Sequence, residues 1–210
     1  DPITGTNWNR MYLDATAIVP EFVRNHLTSD ANTIKDAFRE QLITYIDKKL
    51  NGPAYQLTTG QRIAYNLQRL AHQADIVLDL HTGPISSKHL YCPTYAKNSA
   101  RFFNIEHVLL IDNGFGGALD EASFCPWWDL SNEFEAQGVS FDIAVDAFTV
   151  ELGSQEKIDL TAAKYDAQSI LSYLTHKEAF NNSHHQPAKM TRYSCHLDDY
   201  IAYYSPLGGM

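Results

Sequence analysis

The sequence predicts an α/β protein in which helices pack on a central β-sheet. Amphipathic helical patterns alternate along the chain with short apolar runs, and each run is bounded by polar residues or by glycine and proline. Of the 210 residues, 44% are hydrophobic, which is enough for one full core. We therefore expect one main layered domain.

Two long helices are predicted in the first part of the chain. From Asn32 to Leu50 an apolar residue recurs at every fourth position, which gives one buried stripe and a charged opposite side. From Thr59 to Ala74 a similar stripe is expected to be the buried face. The first stripe consists of Ile34, Phe38, Leu42, Ile46 and Leu50, and the second of Ile63, Leu67, Leu70 and Ala71.

Three apolar runs predict the strands of the sheet: "DIVLDLH", "HVLLID" and "AFTVEL". The first is followed by Gly83-Pro84, and its short apolar character predicts a strand that is buried on both faces. Two further helices are predicted at "TYAKNSARFFN" and at "DLTAAKYDAQSILSYLTH", the second with Asp159 as its N-cap. The segments "GPISSKHLYCPTY" and "NGFGGALDEASFCPWWDL" are interpreted as loops.

Composition limits the classes of partner. The formal charge is -9 and no run of Lys or Arg occurs, which argues against a nucleic-acid surface or a membrane anchor and favours a small-molecule partner. No segment is long and apolar enough for a membrane helix. The three cysteines, Cys92, Cys125 and Cys195, form no CxxC pair, so we expect a reducing, cytoplasmic location without disulfides.

Candidate site residues lie at the ends of two predicted strands. His81 ends the first strand and Glu151 lies at the carboxyl end of the "AFTVEL" strand, and ligands of open α/β sheets bind beyond the carboxyl ends of strands. An imidazole that holds Zn²⁺ and a carboxylate that takes a proton from water are the pair that a metal hydrolase needs. Such residues also cap neighbouring loops, and spacing alone leaves that alternative open.

Other features have two interpretations. Asp79 shares the strand face of His81 and would either orient this ligand or make local hydrogen bonds. The Gly114-x-Gly116 pattern suggests a dinucleotide loop, but Leu119 stands where a third small residue belongs, so a tight turn or an active-site loop is favoured. His72 is interpreted as a surface or capping residue.

Near the start, Asn9 and Arg10 are neighbours in "NWNRMY". A planar guanidinium beside an amide is suited to a substrate carboxylate, although a single loop arginine is also a common surface residue.

Taken in order, "NWNRMY", "DIVLDLHTG" and "FTVELGSQ" resemble the succinylglutamate desuccinylase/aspartoacylase family. The resemblance implies a zinc carboxypeptidase-like fold, a layered helix/sheet/helix arrangement with a mixed, mostly parallel central sheet. It implies that Asn9 and Arg10 bind the substrate carboxylate, that His81 is a zinc ligand, and that Glu151 is the general base. One Zn²⁺ ion is the implied cofactor.

The sequence departs from the family in one respect. The family's other two zinc ligands come from an H-x-x-E motif, which does not occur in this sequence. We expect that motif, and most of a small C-terminal β domain, to lie outside these residues. The expected organisation is a hydrolase-like α/β domain over 1–180, followed by a linker and the start of the β domain over 181–210.

The function expected from these observations is zinc-dependent removal of an acyl group from an N-acyl amino acid. Two alternatives stay open: a metallocarboxypeptidase that acts on small peptides, and a non-catalytic binding relative that has lost its metal site. The missing H-x-x-E favours the second of these.

Overall fold

The structure is a computed structural model that describes residues 5–53, 56–179, 187–201 and 203. After a short 3-10 turn at Trp8–Arg10, the helices are α1 (Val19–His26), α2 (Ala31–Leu50), α3 (Thr59–Ala71), α4 (Lys97–Ala100), α5 (Leu119–Ala136) and α6 (Leu160–His176). The strands are β1 (Ile76–Gly83), β2 (His89–Pro93), β3 (His107–Ile111), β4 (Asp146–Ser154) and β5 (Tyr193–His196). None of the helices in these ranges is both long enough and apolar enough to span a membrane.

The chain forms two compact units. The first comprises Asp1–Val77 and Asn113–Ala147, and the second comprises Leu78–Asp112 and Phe148–Met210. The first unit is mainly helical and the second contains the sheet with α4 and α6. The predicted division at residue 180 stays a prediction, and the start of its second segment, 181–186, lies outside the described residues.

The core of the first unit confirms the prediction for α2. Asp30 caps the helix by accepting hydrogen bonds from the backbone N–H groups of Asn32 and Thr33. The expected stripe is buried from Ile34 to Ile46, and Phe38 packs edge-on against Trp127 with ring centroids 5.0 Å apart. Trp127 belongs to α5, a helix that occupies much of the segment predicted to be a loop.

The buried face of α3 differs from the predicted one. Ile63, Leu67 and Leu70 are 42%, 45% and 61% exposed. The helix instead turns its smaller and polar side chains inward, where Gln68 exchanges hydrogen bonds with the backbone of Leu13. At the C-cap of α3, His72 has a buried side chain, so it is a capping residue but not a surface one. The inward face consists of Gly60, Ala64, Tyr65 and Gln68.

The second unit contains a mixed five-stranded sheet with the order β1-β4-β2-β3-β5. β2 pairs with β3 in parallel and with β4 antiparallel, and β3 pairs with β5 in parallel. This sheet with its flanking helices confirms the predicted fold class. β2 lies within a segment that was predicted to be a loop, and β1 lies at an edge with Leu80 51% exposed, so β1 is not buried on both faces.

Helix α6 is confirmed with its predicted cap. The Asp159 side chain accepts hydrogen bonds from the N–H groups of Thr161 and Ala162. In the core of this unit, the ring of Tyr173 from α6 stacks on Phe103, with centroids 4.3 Å apart. The predicted "TYAKNSARFFN" helix is shorter than expected: it consists of a 3-10 turn and the four residues of α4.

Candidate active site

His81 and Glu151 lie on neighbouring strands, and those strands run in the same direction. Asp146 N donates to Asp75 O (3.0 Å) at one end of the β1–β4 pair, and Gln155 N donates to Gly83 O (2.7 Å) at the other. The pairing advances along both strands together, which makes them parallel. The carboxyl ends of β1 and β4 therefore lie at the same end of the sheet.

The two side chains also share a face of the sheet. Thr82 and Leu152 line one cavity together with Lys88, on the side of the sheet that faces α6. Since side chains alternate between the faces of a strand, the adjacent His81 and Glu151 belong to the opposite face. Neighbouring strands are about 4.8 Å apart, so an imidazole and a carboxylate stand side by side at this end of the sheet.

Asp79 contacts His81 from the same strand. Its Oδ2 lies 2.9 Å from His81 Nε2, with the two side chains 17% and 30% exposed. The two atoms are not aligned for a hydrogen bond, and Oδ2 has no hydrogen-bond partner among the described residues. The contact places the carboxylate beside Nε2, and the role of Asp79 in orienting a histidine ligand stays a prediction.

A complete metal site does not form within the described ranges. No group of three or more His, Cys, Asp or Glu side chains in that part of the chain is arranged to hold an ion. Catalytic zinc sites take three protein ligands and one water, and His81 is the one ligand predicted within these residues. The described residues alone therefore do not fit a bound zinc ion.

A row of further side chains continues from Glu151 across the sheet. Glu151 on β4 stands opposite His89 on β2, His89 is in register with His107 on β3, and His107 with Tyr193 on β5. All of them share one face because residues in register point the same way. His89, His107 and Tyr193 were not predicted as site residues. The sequence signal that could have located the first of them is the alternation of polar and apolar residues in "KHLYCP", which is typical of a strand.

Asn9 and Arg10 lie in the first unit. Asn9 Oδ1 accepts a hydrogen bond from the backbone N of Leu119, the first residue of α5, at 3.4 Å. This orients the amide so that its NH₂ group is the end directed away from α5. Arg10 is exposed, and one of its N–H groups donates to the Asn9 carbonyl at 2.6 Å. One donor of the five on a guanidinium is thus used within the segment.

The glycine-rich loop before α5 does not have the form of a phosphate-binding loop. The Glu121 carboxylate accepts hydrogen bonds from the backbone N–H groups of Gly116 (2.7 Å) and Ala118 (3.0 Å). These are donors of the kind that a phosphate would need. The loop instead packs on the segment after Arg10, where Tyr12 N donates to Gly117 O at 3.3 Å.

The aromatic side chains after the glycine-rich loop belong mainly to the core. Phe124 and Trp127 are fully buried in α5, and only Trp128 is partly exposed. Burial raises the pKa of the nearby Asp129 carboxyl, although the hydrogen bond that Asn113 donates to it acts in the opposite direction.

Comparison with known proteins identifies the family. The succinylglutamate desuccinylase/aspartoacylase catalytic domain matches residues 37–177. No curated protein sequence matches the chain. A crystal structure of a protein from Shewanella frigidimarina NCIMB 400, assigned as a succinylglutamate desuccinylase/aspartoacylase, is 48% identical with a TM-score of 0.93, covering 98% of this chain and 55% of its own.

A second structure, of a succinylglutamate desuccinylase/aspartoacylase family protein from Shewanella amazonensis SB2B, is also 48% identical. Its TM-score is 0.94, and the match covers 100% of this chain and 57% of its own. The chain thus spans a little over half the length of these two proteins. The matched domain and the two similar structures agree, and the chain belongs to the succinylglutamate desuccinylase/aspartoacylase family.

Proposed function

We propose that the protein is an amidohydrolase that removes an acyl group from an N-acyl amino acid. The observation that carries the proposal is the position of His81 and Glu151, on one face and at one end of two neighbouring parallel strands. Membership of the family supports the same class of reaction. A cytoplasmic location and a small-molecule substrate are part of the proposal.

Glu151 is the proposed general base. Its carboxylate takes a proton from the water that attacks the amide carbonyl, and returns it to the nitrogen as the C–N bond breaks. A C–O bond forms, the amine leaves with the proton, and the carboxylate is regenerated. General acid–base catalysis of this kind contributes about 10²- to 10⁴-fold to a rate.

Asn9 and Arg10 are proposed to bind the carboxylate of the amino acid. The exposed Arg10 guanidinium keeps four N–H donors beyond the one that contacts the Asn9 carbonyl. A planar pair of N–H groups matches the two oxygens of a carboxylate. The Asn9 NH₂ group is the amide end suited to an anion, because its Oδ1 accepts from Leu119 N.

Zinc dependence is the part of the proposal that needs residues beyond those described. His81 is the proposed ligand from this chain, oriented by Asp79. The described residues alone do not complete a zinc site. The same observation favours a second candidate, a non-catalytic relative that binds its ligand without turnover. A metallocarboxypeptidase would be distinguished by its preference for short peptides over N-acyl amino acids.

The experiment is the substitution Glu151→Gln in the intact protein. We expect hydrolysis of N-acyl amino acids to fall by about 10²- to 10⁴-fold while the zinc content, measured by atomic emission, stays at the wild-type level. Glu156→Gln, in the turn just after β4, is the matched control and should keep full turnover. Near-normal turnover of Glu151→Gln would remove Glu151 from the mechanism, and a wild-type protein without zinc or turnover would favour the non-catalytic candidate.

A further inference from the structure

A cavity of about 290 Å³ lies on the same face of the sheet as Glu151. It extends over β2, β3 and β5, and its volume is close to the lower limit for small-molecule sites. It therefore has room for part of a substrate. The residues that line it include His89, His107, Leu109, Tyr193, Cys195 and Tyr200.

The cavity adjoins the proposed general base. His89 lines the cavity and stands directly opposite Glu151 in the β2–β4 pair. From β4 to β3, which carries His107, is two strand spacings, or about 10 Å. A group attached to a carbonyl near Glu151 would therefore reach the part of the cavity at His107 only if it were longer than an acetyl group.

The cavity lining carries no permanent positive charge. Among the lining residues that the structure describes there are aromatic rings, aliphatic side chains, imidazoles, two serines and a thiol, but neither lysine nor arginine. The two cations that flank the lining in sequence do not themselves line the cavity. Lys88 pairs with Asp166 of α6 on the other face of the sheet, and Arg192 donates to the Phe103 carbonyl at 2.7 Å.

Charge and shape together indicate the chemical class of ligand. A carboxylate placed in the cavity would lose water without gaining a Lys or Arg partner, which is unfavourable. An aromatic ring would contact Tyr193 and Leu109 and would gain from burial of apolar surface. His89 can also contact a ligand through one defined ring nitrogen. Its Nδ1 lies 3.0 Å from the Ser87 carbonyl oxygen and donates a hydrogen bond to it, so Nε2 is the nitrogen that would contact the ligand.

We propose that this cavity binds the acyl group of the substrate, and that it selects an uncharged acyl group of about the size of phenylacetyl over a succinyl group. The inference rests on the proposed function, because Glu151 is taken to mark the position of the scissile amide. It adds the substrate class, which that function leaves open.

Binding can be tested apart from turnover through Cys195. This thiol is exposed and lines the cavity, whereas Cys92 and Cys125 are buried. We expect N-phenylacetylglycine to slow alkylation of Cys195 by iodoacetamide in the intact protein by at least about threefold at saturation, and N-succinylglycine to have no effect at the same concentration. Equal protection by both ligands, or protection by neither, would overturn the inference.

Turnover gives the second test. In the intact, zinc-loaded protein, we expect Cys195→Trp to lower the ratio of kcat/KM for N-phenylacetyl over N-acetyl amino acids by about tenfold or more, because the indole fills the cavity. Lys189→Trp, at an exposed position outside the lining, should keep the wild-type ratio. An unchanged ratio in Cys195→Trp would contradict the inference.

The two levels of the proposal fail separately. If the wild-type protein hydrolyses N-acetyl and N-succinyl amino acids but no N-phenylacetyl amino acid, the proposed function stands and the acyl-group inference is wrong. If it hydrolyses no N-acyl amino acid, the proposed function is wrong, and the alkylation result alone then decides whether the cavity binds uncharged acyl groups.

Discussion

Gly117 lies so close to the backbone of Arg10 that a Cβ on residue 117 would be 3.1 Å from the Arg10 carbonyl oxygen and 3.2 Å from the carbonyl carbon. Its φ of +97° is in the region that favours glycine. Together with the hydrogen bond from Tyr12 N to Gly117 O, this contact fixes the segment that carries Asn9 and Arg10. The glycine is thus required at this position by backbone packing.

Gly117→Ala should therefore impair substrate binding as well as stability. The left-handed φ alone costs about 1–2 kcal/mol for alanine, and the close approach forces the Arg10 backbone to shift. We expect KM for an N-acyl amino acid to rise more than kcat falls, as measured by steady-state kinetics.

Gly138→Ala is the matched control for that prediction. Gly138 also has a positive φ (+78°), but no atom lies within 4 Å of the place that a Cβ on this residue would occupy. Gly138→Ala should lower the free energy of unfolding only by the cost of a left-handed φ for alanine, and it should leave KM unchanged. If both variants have the wild-type KM, the contact with Gly117 does not position the Asn9-Arg10 segment.

Much of the fold could be predicted from local patterns. The four-residue repeat from Ile34 to Ile46 and the N-cap at Asp159 specify α2 and α6 without long-range information. The same reasoning fails for α3, because Ile63 and Leu70 have the right spacing but face outward. A helix with apolar residues on two sides has no unique buried face in its sequence, and packing against neighbouring elements decides between them.

The site was predictable only in part. Strand ends can be recognised one at a time, so His81 and Glu151 could be named from the sequence. The row from His89 to Tyr193 depends on strand order and register, which join residues as distant in the chain as His107 and Tyr193. No local pattern contains that information, and the proline and glycine around β2 make its segment resemble a loop.

The outward face of α3 leads to a stability prediction. Leu42 of α2 is fully buried and Leu70 of α3 is 61% exposed. We expect Leu42→Ala to lower the free energy of unfolding by about 2–5 kcal/mol and Leu70→Ala to change it by no more than about 0.5 kcal/mol. Urea denaturation followed by circular dichroism measures both, and equal losses would mean that Leu70 is buried in solution.

The contact between Asp79 and His81 predicts an effect on metal affinity. Because the carboxylate lies 2.9 Å from Nε2, Asp79→Asn should weaken zinc binding by the intact protein by about 10- to 100-fold. Competition with a zinc chelator of known affinity measures the change. The control is Asp146→Asn, at the amino end of β4, which should keep the wild-type zinc affinity. An unchanged affinity in Asp79→Asn would show that the contact with His81 is only structural.

His72 makes stability depend on pH. Burial, and next the positive charge of Arg39, lower the pKa of His72 from 6.5 to about 4, and Nδ1 has no hydrogen-bond partner among the described residues. Below pH 6.5 the unfolded chain binds a proton that the folded protein does not bind until about pH 4. The free energy of unfolding should therefore fall as pH is lowered across this window, by about 3 kcal/mol in total.

The variant His72→Leu isolates this contribution. Its side chain does not titrate, so its free energy of unfolding should decline less than that of the wild type between pH 6.5 and 4, by about 3 kcal/mol. Denaturation in urea at a series of pH values gives the comparison. The control is His107→Leu, which replaces an exposed histidine and leaves His72 in place. It should preserve the wild-type slope of the free energy of unfolding against pH. If the free energy of unfolding had the same pH dependence in the wild type and in His72→Leu, the folded protein would accommodate the imidazolium at this position. Opening of the C-terminus of α3, which would expose the ring to water, would be the physical reason.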